Sequence, residues 1–173
     1  ERIVDRVRRA LAAVTPDVVL IANEPAVYAE LGLPMRPDER PGLGPLGGIH
    51  TALRWAAEEG RPGVLVVACD MPFVEPRLLA RLLEEARDAD VVLPESGGRR
   101  EVEPLCGYYG TGCIAAIEAA AAAGDRRMIG FHGFVRVRRL PEAEVRRYGA
   151  PEVLFLNVNT PEERERAEAL CRG

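Results

Sequence analysis

The stretch Val64-Leu65-Val66-Val67-Ala68-Cys69-Asp70-Met71-Pro72 decides the fold of this chain. Its first six residues are all apolar or small, and four of them are Val or Leu. Such a run predicts a parallel strand that helices cover on both faces, because a strand with one solvated face would alternate apolar and polar residues. Pro72 cannot continue the strand. We therefore expect Asp70 at a strand end, where α/β sheets bind their ligands.

Strand and helix patterns alternate along the rest of the chain. Helical spacing of apolar residues occurs in 1–14, 25–31, 49–59, 76–87 and 114–123, and strand patterns occur in 17–22, 90–94, 103–109, 135–138 and 153–158. The proline-rich stretch 34–41 can hold only a brief edge strand, and residues 160–163 have capping-box spacing. This order predicts a single α/β domain over residues 1–173 with a mostly parallel sheet. Because the chain begins on a helix, we expect its first strand and the following loop to lie outside this sequence.

Composition excludes several classes of function. The net charge of −4 argues against nucleic-acid binding by bulk electrostatics, and all 23 basic residues are Arg. No segment approaches the ~18 apolar residues of a membrane span, and no secretory signal pattern is present. The four cysteines form no Cys-x-x-Cys pair, which suits a reducing compartment. We expect a cytoplasmic protein with neither membrane nor nucleic-acid partners.

A glycine-rich turn precedes the predicted helix 49–59. Gly42, Gly44 and Gly47 match the dinucleotide pattern Gly-x-Gly-x-x-Gly, and Asp70 follows Gly47 by 23 positions. However, these glycines follow a proline-rich loop instead of a buried strand, and Pro45 lacks an amide that a phosphate could bind. Three interpretations stay open: an NAD site, a tight turn that starts a helix, and a turn that lets backbone approach a planar base.

Polar side chains follow several predicted strands. Asn23 ends one strand and would be level with Asp70 if the two strands are parallel, although an Asx turn or a cap explains either residue alone. Asn157 and Asn159 are two apart on the predicted strand 153–158 and would share one face. A buried amide is costly without a partner, so these two suggest a ligand rich in hydrogen-bonding groups. Asp38, in the proline-rich loop, is by itself best explained as a solvated turn residue.

Four motifs together resemble the molybdenum cofactor guanylyltransferases. They begin at Gly44 (Gly-Pro-Leu-Gly-Gly-Ile), Ala68 (Ala-Cys-Asp-Met-Pro-Phe), Gly124 (Gly-Asp-Arg-Arg) and Asn157 (Asn-Val-Asn-Thr-Pro-Glu), and occur in the family's order and spacing. The resemblance implies a Rossmann-like three-layer sandwich of the nucleotide-diphospho-sugar transferase type. It also implies transfer of GMP from GTP to the terminal phosphate of molybdopterin, with release of pyrophosphate.

The resemblance also implies roles for individual residues. Asp70 would be the Mg²⁺ ligand and would lie against the GTP phosphates. The nucleotide-binding set would be completed by Asn23, Asp38, Gly44, Pro45 and Gly47. Asn157 and Asn159 would line the acceptor side, and the anionic pterin would give Arg99, Arg100, Arg126 or Arg127 a partner. Transient contact with proteins that deliver molybdopterin or mature molybdoenzymes would follow.

One hallmark of that family has no counterpart in this sequence. The family's N-terminal strand and its glycine-rich loop, Leu-Ala-Gly-Gly followed by Arg residues and a Lys, are missing, and the chain contains no Lys. We expect this segment to lie outside the sequence, because its loss would leave a hydrophobic slot in the sheet; the alternative is an inactive polypeptide. Three other functions stay open: a related nucleotidyltransferase that uses CTP or a sugar phosphate, a non-catalytic nucleotide-binding module, and an NAD-binding domain.

Overall fold

The computed structural model describes residues 2–97 and 101–160 and, beyond them, residues 162, 163, 165, 167 and 169. The helices are α1 (Ile3–Ala12), α2 (Pro25–Tyr28), α3 (Pro45–Glu58), α4 (Pro76–Glu85), α5 (Cys113–Ala122), α6 (Glu142–Val145) and α7 (Pro151–Leu154). The strands are β1 (Leu20–Ile21), β2 (Met35–Arg36), β3 (Gly63–Val67), β4 (Val91–Pro94), β5 (Cys106–Gly110) and β6 (Val137–Leu140). Strands and helices alternate, so the predicted α/β class is confirmed.

The strands form two sheets. The larger has the order β3-β5-β4-β6, and the smaller pairs β1 with β2 in parallel. In the larger sheet β4 and β6 are parallel, while β5 is antiparallel to both β3 and β4. Three of its four strands therefore run in one direction. The prediction of a mostly parallel sheet holds for strand direction, with β5 as the antiparallel exception.

Helices cover both faces of the larger sheet. On one face, α4 contributes Leu78, Leu79 and Leu82 to a core that also contains Val92 and Tyr108 of the sheet. On the other, helices α3 and α5 pack on the neighbouring sheet residues; this second core includes Leu46, Ile49, Leu53, Val91, Leu93, Tyr109 and Ile117. Successive strand residues enter opposite cores because side chains alternate across a strand. The result is the predicted three-layer sandwich.

Most predicted helices are present with small changes in their bounds. Helix α3 begins at Pro45, four residues before the prediction, because Gly44 takes φ +58° at the N-cap and Pro45 has the fixed φ of a first helical residue. Pro76 starts α4 as predicted, and Gly124 follows α5 with φ +82°. Among the described residues, no helix is both long enough and apolar enough to cross a bilayer.

Strand β3, at the edge of the larger sheet, differs in part from its prediction. Its side chains pack against the cores on both faces, as predicted, but all five residues are only half-buried. The reason is pairing: β3 has β5 on one edge and no strand on the other within the described residues. Its apolar side chains are therefore partly open to the space beside that edge.

Candidate functional site at the groove beside β3

A groove of about 1420 Å³ runs along the unpaired edge of β3. Residues 18–23, which include β1, line its other side. Helices α1 and α3 contribute apolar residues such as Leu11 and Ala52, and Val14 just after α1 also lines the groove. The smaller sheet has no further strand on the groove side of β1 within the described residues. The groove between these two strand edges is lined mainly by apolar residues.

Backbone groups of β3 point into this groove. The Ala68 N–H donates to Leu105 at 2.9 Å and the Pro62 carbonyl accepts from Thr111 at 2.9 Å, so even-numbered residues face β5. Because backbone groups alternate along a strand, the N–H and C=O of Leu65 and Val67 face the groove. The groove therefore offers both apolar side chains and hydrogen-bonding backbone.

Asn23 and Asp70 line this same groove. Asn23 comes two residues after β1, and Asp70 comes three residues after β3. This agrees with the expectation that the two side chains share one crevice, whereas their roles in binding stay predictions. Cys69, the neighbour of Asp70, is exposed as a residue, while nearby protein atoms partly desolvate its thiol. This desolvation, followed by the Asp70 charge, raises the pKa of the Cys69 thiol.

Two buried side-chain oxygens, on segments joined by a backbone hydrogen bond, lack hydrogen-bond partners among the described residues. They are Oδ1 of Asp70 and Oδ1 of Asn157. The two residues are connected by backbone, since the Val158 N–H donates to the Asp70 carbonyl at 3.0 Å. An acceptor that is buried without a donor costs free energy, and such atoms usually bind an ion, a water or a ligand. This pair is the clearest sign of a binding site in the molecule.

The segment 153–158 is not the strand that we predicted. Pro151 starts the short helix α7 there, and residues 155–159 pair with no strand in the described part of the chain. The two amides consequently do not share a face: Asn157 is half-buried, whereas Asn159 is exposed. The apolar run 153–156 alone could not decide this, because a strand also needs an edge to pair with.

The capping box after Asn159 is confirmed. The Glu163 N–H donates to Thr160 Oγ1 at 3.2 Å, and Glu163 Oε2 accepts from the Thr160 N–H at 3.0 Å. The same carboxylate oxygen accepts from the Asn159 N–H at 2.7 Å. These bonds fix the backbone of Asn159 and leave its side chain at the surface.

The glycine-rich turn does not have the context of a dinucleotide site. Gly42 lies within the 3-10 turn Pro41–Leu43, and the motif follows a proline-rich loop instead of a buried strand. Gly44 needs its positive φ and has open space around it, while Pro45 lines the groove. Gly47 is packed against backbone: a Cβ there would lie 2.3 Å from the Arg40 carbonyl oxygen. The structure thus favours the tight turn that starts a helix over the NAD site.

Asp38 is engaged by its own loop and by α3. Its Oδ1 accepts from the Arg40 N–H at 2.7 Å and from the Thr51 hydroxyl at 3.3 Å, and its backbone N–H donates to Asn23 Oδ1 at 2.9 Å. The described residues that line the groove do not include Asp38. Sequence reasoning missed Thr51, whose only signal was a hydroxyl in a helix that, apart from His50, otherwise buries apolar residues and Gly47.

The four arginines considered for the pterin are placed differently. Arg99 and Arg100 lie outside the described residues. Arg127 donates two hydrogen bonds to the Asp125 carboxylate through its guanidinium, which lowers the pKa of Asp125 to about 2. Arg126 is exposed. Neither Arg126 nor Arg127 lines the groove that contains Asp70.

The sequence of this chain is similar to the members of one protein family. The model of the MobA-like NTP transferase domain matches residues 1–138. A probable molybdenum cofactor guanylyltransferase of Pelotomaculum thermopropionicum is 38% identical over 173 residues, which is 100% of this chain and 82% of the relative. A molybdenum cofactor guanylyltransferase of Cereibacter sphaeroides is 39% identical over 161 residues, covering 90% of this chain and 76% of the relative.

Solved structures agree with the fold. The crystal structure of molybdopterin-guanine dinucleotide biosynthesis protein A from Archaeoglobus fulgidus superposes with a TM-score of 0.74 at 26% identity, over 96% of this chain and 85% of that one. A 4-diphosphocytidyl-2C-methyl-D-erythritol synthase from Anaerococcus prevotii reaches a TM-score of 0.73 at 11% identity, over 100% of this chain and 87% of that one. At that identity, the second match bears on the fold alone.

Proposed function

Because this chain belongs to the MobA-like NTP transferase domain family, and is therefore a nucleotidyltransferase, we propose that it transfers GMP from GTP to molybdopterin. In this reaction an oxygen of the terminal phosphate of molybdopterin attacks the α-phosphorus of GTP. The bond from that phosphorus to the oxygen bridging the α- and β-phosphates breaks, and pyrophosphate leaves with the electron pair. The observation that carries the proposal is a pair of unpartnered buried oxygens: that of Asp70, which lines the groove, and that of Asn157, whose neighbour Val158 bonds to the Asp70 backbone.

These two oxygens fit a magnesium ion. Mg²⁺ binds hard oxygen donors, and a nucleotide site usually supplies one or two carboxylates with phosphate and water completing the shell. Asp70 would hold the ion through its carboxylate, and Asn157 would add its side-chain oxygen. When bound, the ion would neutralise the charge that develops on the phosphates. Asn157, which is proposed for the acceptor side, would then also be a ligand of the cation.

The remaining residues of the site would bind and orient the substrates. Asn23 lies at the groove with its amide N–H groups available, which suits a ribose or base oxygen. Asn159 is exposed next to Asn157 and is proposed for the pterin. Transfer between two bound phosphates requires positioning and charge neutralisation, and it requires no protein nucleophile. The chain therefore needs no catalytic Ser or Cys for this reaction.

The experiment is turnover of GTP and molybdopterin by the intact protein, with release of pyrophosphate as the readout. We expect activity with Mg²⁺, its loss on chelation, and at least a hundredfold lower rate for Asp70→Asn, which preserves shape and removes the charge. Asp88→Asn is the matched control, because Asp88 follows α4 at a distance from the groove residues. Equal rates for Asp70→Asn and wild type would remove Asp70 from the mechanism.

The same assay separates the other candidate functions. A related nucleotidyltransferase would release pyrophosphate faster with CTP than with GTP. A non-catalytic binding module would bind GTP without releasing pyrophosphate. Either result would overturn the proposed GMP transfer.

A further inference from the structure

The loop 38–40 is held against α3 by one buried hydroxyl. Thr51 has no exposed surface, and its Oγ1 makes two hydrogen bonds to the loop. It accepts from the Glu39 N–H at 2.9 Å and donates to Asp38 Oδ1 at 3.3 Å. A buried Thr commonly bonds to its own helix, so two bonds to a separate loop make Thr51 a connection between distant segments.

Gly47 allows the loop to come this close. A Cβ at this position would lie 2.3 Å from the Arg40 carbonyl oxygen and 2.8 Å from Asp38 Oδ2. Neighbouring Gly48 has no such constraint, since its nearest atom would be Ile21 Cγ2 at 4.0 Å. The loop therefore rests directly on the backbone of α3, with Thr51 one turn further along the same helix.

The loop in turn orients Asn23. The Asp38 N–H donates to Asn23 Oδ1 at 2.9 Å, and this bond identifies which end of the amide is oxygen. With its oxygen occupied, Asn23 has its two N–H donors left for a ligand. Asn23 lines the groove, whereas Thr51, Asp38 and Gly47 do not. The Asn23 side chain is thus the point at which this network reaches the proposed nucleotide site.

We propose that Thr51 is a positioning residue for nucleotide recognition: through the loop 38–40 it presents the Asn23 N–H donors to an oxygen acceptor of the nucleoside. This inference rests on the proposed function, since it assumes that the groove binds a nucleotide. Thr51 touches no substrate. Its contribution is to hold Asn23 in one orientation before the nucleotide arrives, which spares the cost of ordering the loop on binding.

The test compares Thr51→Val, which keeps the shape and removes the hydroxyl, with Thr51→Ser, which keeps the hydroxyl. We measure GTP affinity by calorimetry, steady-state kinetics in the intact protein, and amide hydrogen exchange of residues 38–40. Thr51→Val is expected to bind GTP about tenfold more weakly, while Thr51→Ser stays within about twofold of wild type. KM for GTP should rise with kcat unchanged, because the hydroxyl does not act on the reacting phosphates. Exchange at Glu39 should accelerate in Thr51→Val and not in Thr51→Ser.

The outcomes distinguish this inference from the proposed function. Wild-type protein that binds no GTP overturns the proposed function and, with it, the role of Thr51 in recognition. If wild-type protein binds GTP and the Thr51→Val variant binds it with the same affinity, only the role of Thr51 is overturned. Equal exchange at Glu39 in all variants would overturn the connection between Thr51 and the loop. If Thr51→Val does not fold, Thr51→Ala makes the same comparison with Thr51→Ser.

Discussion

The three glycines of the Gly-Pro-Leu-Gly-Gly turn, Gly44, Gly47 and Gly48, are under different structural constraints. Gly44 adopts φ +58°, a left-handed conformation that other residues avoid. Gly47 has ordinary helical backbone, but the loop carbonyl of Arg40 occupies the place of a side chain. Gly48 has neither constraint, because the nearest heavy atom to a Cβ would be 4.0 Å away. Within one motif, the backbone conformation thus requires glycine at position 44, close packing requires it at position 47, and neither requires it at position 48.

A pair of substitutions tests this difference. Gly47→Ala should lower the free energy of unfolding by about 1–3 kcal/mol, since the loop 38–40 must move away from α3. Gly48→Ala should leave it unchanged or raise it by up to about 1 kcal/mol, because Ala is the better helix former. Urea denaturation of both variants measures the two effects. Similar effects in both would show that the loop does not rest on Gly47.

At the level of elements, the edge of β3 is the distinctive feature. Its other edge carries five register pairs with β5, from Gly63 opposite Gly110 to Val67 opposite Cys106. Apolar residues on both faces make it resemble an internal strand in sequence, yet the described structure pairs it on one side only. An edge with open backbone groups is a place where another extended segment can add.

This edge predicts an alternating pattern of hydrogen exchange. The amides of Val64 and Val66 face β5 and should be protected, whereas those of Leu65 and Val67 face the groove and should exchange at least tenfold faster. All four residues are similarly half-buried, so a difference in exchange rate between them reports backbone hydrogen bonding and not burial. Exchange followed by NMR measures it residue by residue. Equal protection of all four amides would show that a strand occupies the groove in solution.

At the level of the whole molecule, stability should depend on pH through His132. Burial, followed by the positive charge of Arg139, lowers the pKa of His132 from 6.5 to about 4. Its Nε2 is buried with no hydrogen-bond partner among the residues that the structure describes, and its ring meets the Phe131 ring edge-on with centroids 4.9 Å apart. The imidazole is therefore kept neutral in the folded protein under conditions in which it is charged in the unfolded chain.

The sign of the effect follows from proton linkage. The unfolded chain takes up a proton at His132 near pH 6.5, whereas the folded protein does so only near pH 4. His132 should therefore not disfavour folding above pH 6.5, and its cost should grow to about 2–3 kcal/mol as the pH falls towards 4. His132→Gln removes the titration, so the difference in unfolding free energy between this variant and wild type should change by that amount between pH 7.5 and 4.5. A difference independent of pH would contradict the buried neutral state.

Much of the fold could be predicted because its signals are local. Pro76 and Gly124 mark a helix start and a helix end, and Thr160 with Glu163 forms the capping box that their spacing predicted. Three errors had one origin. They concern the depth of burial of β3, the strand at 153–158 and the length of the strand at 17–22. All three depend on which segment lies alongside, and residue spacing carries no information about that.

By itself, the sequence determined the α/β class, the order of its elements and the motifs through which this chain resembles its family. These follow from the propensities of neighbouring residues and from apolar spacing, which act along the chain. Only the tertiary structure decided that Asn23 and Asp70 line one groove and that Thr51 holds the loop 38–40. It also decided that Asn157 is half-buried while Asn159 is exposed. Such relations depend on contacts between segments that are distant in sequence. Whether a buried polar atom has a hydrogen-bond partner is decided by the residues that pack against it in the folded chain.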